Sequence, residues 1–151
     1  YGCQAFLPQL RANSEAAIVN VSSIFGLIGT PNHSDYCASK FAVRGYSEAL
    51  MAELLDSHIQ VHLVHPGGID TNIARQPRSR AFSQHFLSTK PEAIAAKLID
   101  SIARNRPRLV YGNGSRKTWL GARFVPLRWL TALIWREMRP VIDLSDYPSK
   151  P

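Results

Sequence analysis

Ile18-Val19-Asn20-Val21-Ser22-Ser23 and, thirteen residues beyond the last of these serines, Tyr36-Cys37-Ala38-Ser39-Lys40 stand close together in a chain of 151 residues. The first is an apolar, β-branched run that reads as a buried strand. It ends in hydroxyls at its carboxyl end, where open α/β sheets bind ligands. The second spaces a tyrosine and a lysine four apart, so on a helix they share one face a turn apart and their heads reach the same small molecule. Downstream, Val61-His62-Leu63-Val64-His65-Pro66-Gly67-Gly68 reads as a second strand ending in a turn. Pro66 stops the ladder by lacking an N–H, and Gly67-Gly68 let the backbone come close to a ligand. A strand following a helix lies parallel to the first strand through a right-handed crossover.

At these residues the chain resembles the short-chain dehydrogenase/reductase family, carrying its Asn-x-Ser-Ser, Tyr-x-Ala-Ser-Lys and Pro-Gly-x-x-x-Thr segments in order from Asn20 to Thr71. A lone Tyr-x-x-x-Lys occurs by chance in many chains; the three segments together, each on its expected element, are far more specific. The resemblance implies an α/β fold, a Rossmann-like doubly wound parallel sheet. This chain would supply its carboxyl-terminal portion, about three strands with flanking helices. It implies a catalytic set of Ser23, Tyr36 and Lys40: Tyr36 as acid/base, Lys40 also holding the nicotinamide ribose hydroxyls, and Ser23 bonding the substrate oxygen. Pro66, Gly67, Ile69 and Thr71 would border the nicotinamide. The implied cofactor is NAD or NADP, the substrate a small alcohol or carbonyl and the assembly a homo-oligomer; Cys3 and Cys37, without a disulfide framework, suit a reducing, cytoplasmic compartment. The family's glycine-rich first turn, its Asn-Ala-Gly segment and its catalytic asparagine have no counterpart upstream of Ser23. The chain therefore reads as the carboxyl-terminal part of a longer one, inactive by itself.

The chemistry asks for these residue types. Tyrosine is a weak acid with a reference pKa of about 10, and a nearby ammonium favours its phenolate by charge attraction. A lysine one turn away is placed to provide that. A serine hydrolase would need a Gly-x-Ser-x-Gly elbow, whereas Ser23 sits in Val21-Ser22-Ser23-Ile24-Phe25. Two cysteines and five histidines show neither metal-ligand spacing nor a disulfide framework. No apolar run is long enough to span a bilayer.

The net charge of +7 is unevenly spread. Residues 75–139 hold fourteen Lys/Arg against three Asp/Glu, while residues 1–74 hold three against six. A basic segment attracts phosphate, anionic lipid or nucleic acid, but no nucleic-acid reader motif accompanies it, so no nucleic-acid partner is expected.

Along the chain, Ala5, Phe6, Leu7 and Leu10 suggest a helix over about residues 1–13. Gly26, Gly29, Pro31 and Asn32 mark a loop, with Ser34 or Asp35 as cap for a helix to Leu55 that buries Phe41, Val43, Tyr46, Leu50 and Leu54. Residues 70–88 read as a substrate lid. Thr89-Lys90-Pro91-Glu92 has the capping-box pattern, and the helix it opens is expected to bury Ile94, Leu98, Ile99 and Ile102. Leu109-Val110-Tyr111 is a third strand. The Gly112-Asn113-Gly114 after it is a weak phosphate-site candidate, because Lys117 stands where a third glycine belongs. Two domains are expected: 1–113, a partial oxidoreductase domain, and 114–151, an amphipathic extension. Pro126 divides that extension, leaving an amphipathic helix over Leu127–Met138. Its Trp119, Trp129 and Trp135 interleave with arginines, a pattern that fits docking on the chain's own core, a second subunit or a membrane interface. A non-catalytic basic module binding membrane or a partner is thus the alternative reading. Asp143–Pro151 reads as a frayed tail.

Overall fold

In the computed structural model, which describes residues 1–73 and 80–145, three parallel strands carry the chain. Helix α1 (Gly2–Arg11) leads into β1 (Ala16–Val21), and a short 3-10 turn (Ile24–Gly26) precedes α2 (Ser34–Glu53). Then come β2 (Ile59–Pro66), α3 (Arg80–Phe86), α4 (Pro91–Ala103), β3 (Arg108–Tyr111), α5 (Ser115–Phe124) and α6 (Leu127–Met138). The sheet order is β1-β2-β3, with Ile18 opposite Val61 and Val64 opposite Leu109. This is the expected three-stranded portion of a doubly wound sheet.

β2 is the central strand and the best buried: Ile59, Val61, Leu63 and Val64 all lie in the core. One face of the sheet is closed by helices. Ile18, Ile59 and Val61 pack with Leu50 and Leu54 of α2, and Leu7 and Leu10 of α1 pack against that cluster. Burial of each such side chain contributes about 1.5–3 kcal/mol. Glu48 accepts from Arg44 at 2.9 Å and from Arg108 at 2.6 Å, joining α2 to β3. Both pairs are partly solvated and so worth no more than about 1 kcal/mol each.

Several expectations from the sequence are corrected. Phe41 and Tyr46 on α2 and Ile99 on α4 are exposed, and the buried positions of these helices include Cys37, Ser47 and Ser101. Apolar periodicity finds the stripe, but each helix meets the sheet along a narrower line than the stripe is wide. Neither Ser34 nor Asp35 caps α2: the helix starts one residue earlier, with His33 at the N-cap and its ring nitrogen 2.9 Å from the Pro31 carbonyl. Asp35, inside the first turn, instead complements the positive end of the helix. The capping box at α4 does not form either, because the Thr89 hydroxyl accepts from the Asn113 amide at 2.8 Å. The tail begins tethered, with Asn32 Nδ2 donating to the Asp143 carbonyl at 2.7 Å. The remainder from residue 146, like residues 74–79 of the expected lid, lies outside the described residues.

Candidate active site

The carboxyl ends of β1 and β2 lie side by side, and the 3-10 turn leaving β1 is pinned to α2. The Ser22 hydroxyl donates to the Lys40 carbonyl at 2.8 Å. Gly26 sits so close to that point that a Cβ there would fall 2.3 Å from Ser22 Oγ and 2.7 Å from the Lys40 carbonyl oxygen. Only glycine allows this approach. The contact brings Ser23, at the N-cap of the turn, beside the face of α2 that carries Tyr36 and Lys40.

Lys40 Nζ lies 5.5 Å from the centroid of the Tyr36 ring and donates to the Val21 carbonyl at 3.1 Å. The ammonium is thereby fixed between the end of β1 and the phenol, with further donors left for a ligand. The Ser23 hydroxyl accepts from the Phe25 amide at 3.1 Å, which leaves its own hydrogen for an incoming oxygen. Ser23, Tyr36 and Lys40, named from sequence, are thus gathered at one sheet end.

Pro66 closes β2 one strand away, opposite Tyr111. The glycines that follow are crowded by the chain itself. A Cβ on Gly67 would lie 2.2 Å from the Asn113 carbonyl oxygen, and one on Gly68 would lie 1.8 Å from that of Phe86. The close approach inferred from sequence is therefore to backbone on both sides of the turn. The Gly112-Asn113-Gly114 loop lies against Gly67 and opens α5 with Gly114 in the left-handed region. Ile69 bridges to Thr89 and the Asp70 amide donates to the Thr89 carbonyl at 2.8 Å. Thr71 is exposed.

Two features escaped the sequence reading. His65, fully buried in β2, places Nδ1 2.8 Å from the Ser23 carbonyl. A carbonyl only accepts, so Nδ1 carries the hydrogen. Nε2 has no partner among the described residues. Burial chiefly holds this imidazole below its ordinary range; the Ser23 carbonyl pushes the other way, and Arg108 and Arg44 add to the lowering. The second feature is an aromatic cluster. Phe25 packs edge-on against Tyr36 at 6.2 Å, His33 at 5.6 Å and Phe82 of α3 at 6.2 Å. Phe82 also packs on Phe86 at 5.1 Å. Only the position of Phe82 and Phe86 in a suspected lid hinted at it.

Three parallel strands with flanking helices in this order are a Rossmann-type arrangement. The chain belongs to the short chain dehydrogenase family, whose model matches residues 1–81. It is 40% identical over 123 residues to SadH of Mycobacterium tuberculosis, a protein assigned to the oxidoreductases, with 74% of this chain and 45% of that protein covered. It is 51% identical over 69 residues to a 3-ketodihydrosphingosine reductase of Bacteroides thetaiotaomicron, covering 46% of this chain and 26% of that protein. A short chain dehydrogenase from Burkholderia cenocepacia, crystallised with NADP, superimposes with a TM-score of 0.72 at 25% identity, over 87% of this chain and 53% of that one. The chain thus spans less than half the length of the curated relatives it matches.

Proposed function

We propose that the protein is an NAD(P)-dependent oxidoreductase interconverting an alcohol and a carbonyl, with Ser23, Tyr36 and Lys40 as its catalytic residues. The observation that carries this reading is the fixed Lys40 ammonium, 5.5 Å from the Tyr36 ring and 3.1 Å from the Val21 carbonyl. The donor set fits a nicotinamide nucleotide. Lys40 keeps donors for the ribose diol, and Pro66, Gly67, Ile69 and Thr71 line the segment expected beside the nicotinamide. The resemblance in fold to a relative crystallised with NADP supports the same cofactor class.

When bound, the nicotinamide supplies or accepts the hydride. The protein's own residues do the rest. Ser23 donates its hydroxyl hydrogen to the substrate oxygen and orients it. Tyr36 delivers a proton to that oxygen during reduction and takes it back during oxidation. Lys40 holds the cofactor ribose. Phe25, Phe82 and His33 exclude water on the substrate side, so the substrate carries an apolar, ring-sized or longer group next to the reacting carbon.

The experiment uses the whole protein expressed from its gene. Tyr36→Phe retains binding of the dinucleotide and lowers turnover by roughly 10²–10⁴-fold, as for a lost general acid. Lys40→Met weakens that binding as well. Dinucleotide binding unchanged in Lys40→Met would count against the assignment of Lys40. The alternative, a non-catalytic basic module, has no observation that favours it in place of the enzyme.

A further inference from the structure

We propose that α5 and α6 dock the protein flat onto an anionic lipid surface. Each helix carries an outward apolar pair one turn apart: Leu120 and Phe124 on α5, Trp129 and Leu133 on α6. Phe124 is 69% exposed and Trp129 66%. These side chains are additional to the packed side of α6, where Leu130, Ile134 and Met138 face inward, the first two lining a cleft against Leu27, Ile28 and Phe41. The core therefore does not account for the outward face.

The charges around that face are of one sign. From Ser115 to Arg139 there are six Lys/Arg and one Asp/Glu. The one acid, Glu137, is held by Lys117 at 2.5 Å. Arg123 lies over the rings of Trp119 and Phe124, 5.8 and 5.7 Å from their centroids, so cation and apolar ring form one unit. A second copy brought to this face would set like charges against like charges, since a twofold contact repeats the same patch. An anionic bilayer complements it. Aromatic rings enter the headgroup boundary while the arginines stay at the phosphates. Spanning is excluded for this pair, because no helix among the described residues is long and apolar enough to cross a membrane. An α-helix of twelve residues is about 18 Å long, against a hydrocarbon core of about 30 Å.

The test is co-sedimentation of the whole protein with phosphatidylcholine vesicles, with and without about one-third phosphatidylglycerol. Binding is expected to the anionic vesicles, weakened by added salt. The Arg128→Gln/Arg136→Gln pair should lower it by roughly tenfold or more. Phe124→Ser/Trp129→Ser should abolish it, and tryptophan emission of the wild type should shift to the blue when vesicles are added. The arginine variant leaves every apolar contact in place, so it reports even if the aromatic variant folds poorly. Equal binding to neutral and anionic vesicles, or none to either, overturns the proposal. So does self-association in sedimentation equilibrium that the aromatic substitutions abolish without any vesicle binding, since the face would then join copies of the chain. None of these outcomes depends on turnover, so the catalytic assignment stands or falls separately.

Discussion

Ser23 is held at both ends: its hydroxyl accepts from the Phe25 amide and its carbonyl from His65 Nδ1. The histidine hydrogen bond fixes the direction in which the β1 strand delivers the serine. It also makes the fold sensitive to acid. His65 is buried and its pKa lies below the ordinary value of 6.5, chiefly through desolvation. The unfolded chain therefore takes up a proton near that value while the folded chain does not. The stabilisation is complete above about pH 6.5 and is lost as the pH falls toward the lower, folded value. Denaturant melts across that range should show stability falling on the acid side, and His65→Leu should flatten this dependence. The same substitution strands the Ser23 carbonyl, at a cost of about 1–3 kcal/mol. An acid limb unchanged in His65→Leu would assign the dependence to another group. His65 was not legible beforehand because a histidine in a valine- and leucine-rich strand carries no sign of its partner. The contact to Ser23 spans 42 residues and depends on the pairing of β1 with β2. Tyr36 and Lys40 were legible because their relation is local, fixed by one turn of helix.

Helix α2 serves two ends of the structure, with Tyr36 and Lys40 near its start and Leu50 in the core at its close. Its limits and those of α6 followed from breakers and apolar spacing. Which face met protein did not, as exposed Phe41 and Tyr46 demonstrate. Caps were misread for a related reason: a hydroxyl that could satisfy a helix amide was engaged by a distant one, as with Thr89 and the Asn113 amide. Helix α3 brings Phe82 over Phe25 and His33, a tertiary meeting no periodicity announces. If this cluster is the wall against which an apolar substrate packs, Phe82→Ala should raise KM for a bulky apolar alcohol. The rise should be about tenfold, the size of one lost aromatic contact. The kcat for a small alcohol should change little. A steady-state comparison of the two substrates checks this; equal losses for both would place Phe82 in the scaffold instead.

Among the described residues, β1 pairs only with β2, so one of its edges is open. The groove beside it, lined by Cys3, Phe6 and Leu10 of α1 and by Ile18 and Asn20, is largely apolar, and Asn20 Nδ2 is buried there without a partner among the described residues. Unpaired strand edges recruit other chains. The 151-residue chain expressed by itself should therefore self-associate in sedimentation velocity. A monodisperse monomer with slow amide exchange along both sides of β1 would contradict this. The parallel order and the gathering of Ser23, Tyr36 and Lys40 at one sheet end were legible from strand–helix–strand alternation, whereas the open edge of β1 is a matter of pairing between strands, which no local pattern in β1 announces. The decisive measurement is nicotinamide absorbance for the whole protein with a panel of alcohols and ketones, wild type against Tyr36→Phe. Cofactor-dependent turnover that falls by roughly 10²–10⁴-fold in the variant, with dinucleotide binding retained, is the expected result. Full activity in Tyr36→Phe would contradict the mechanism, and no dinucleotide binding by the wild-type protein would contradict the function itself.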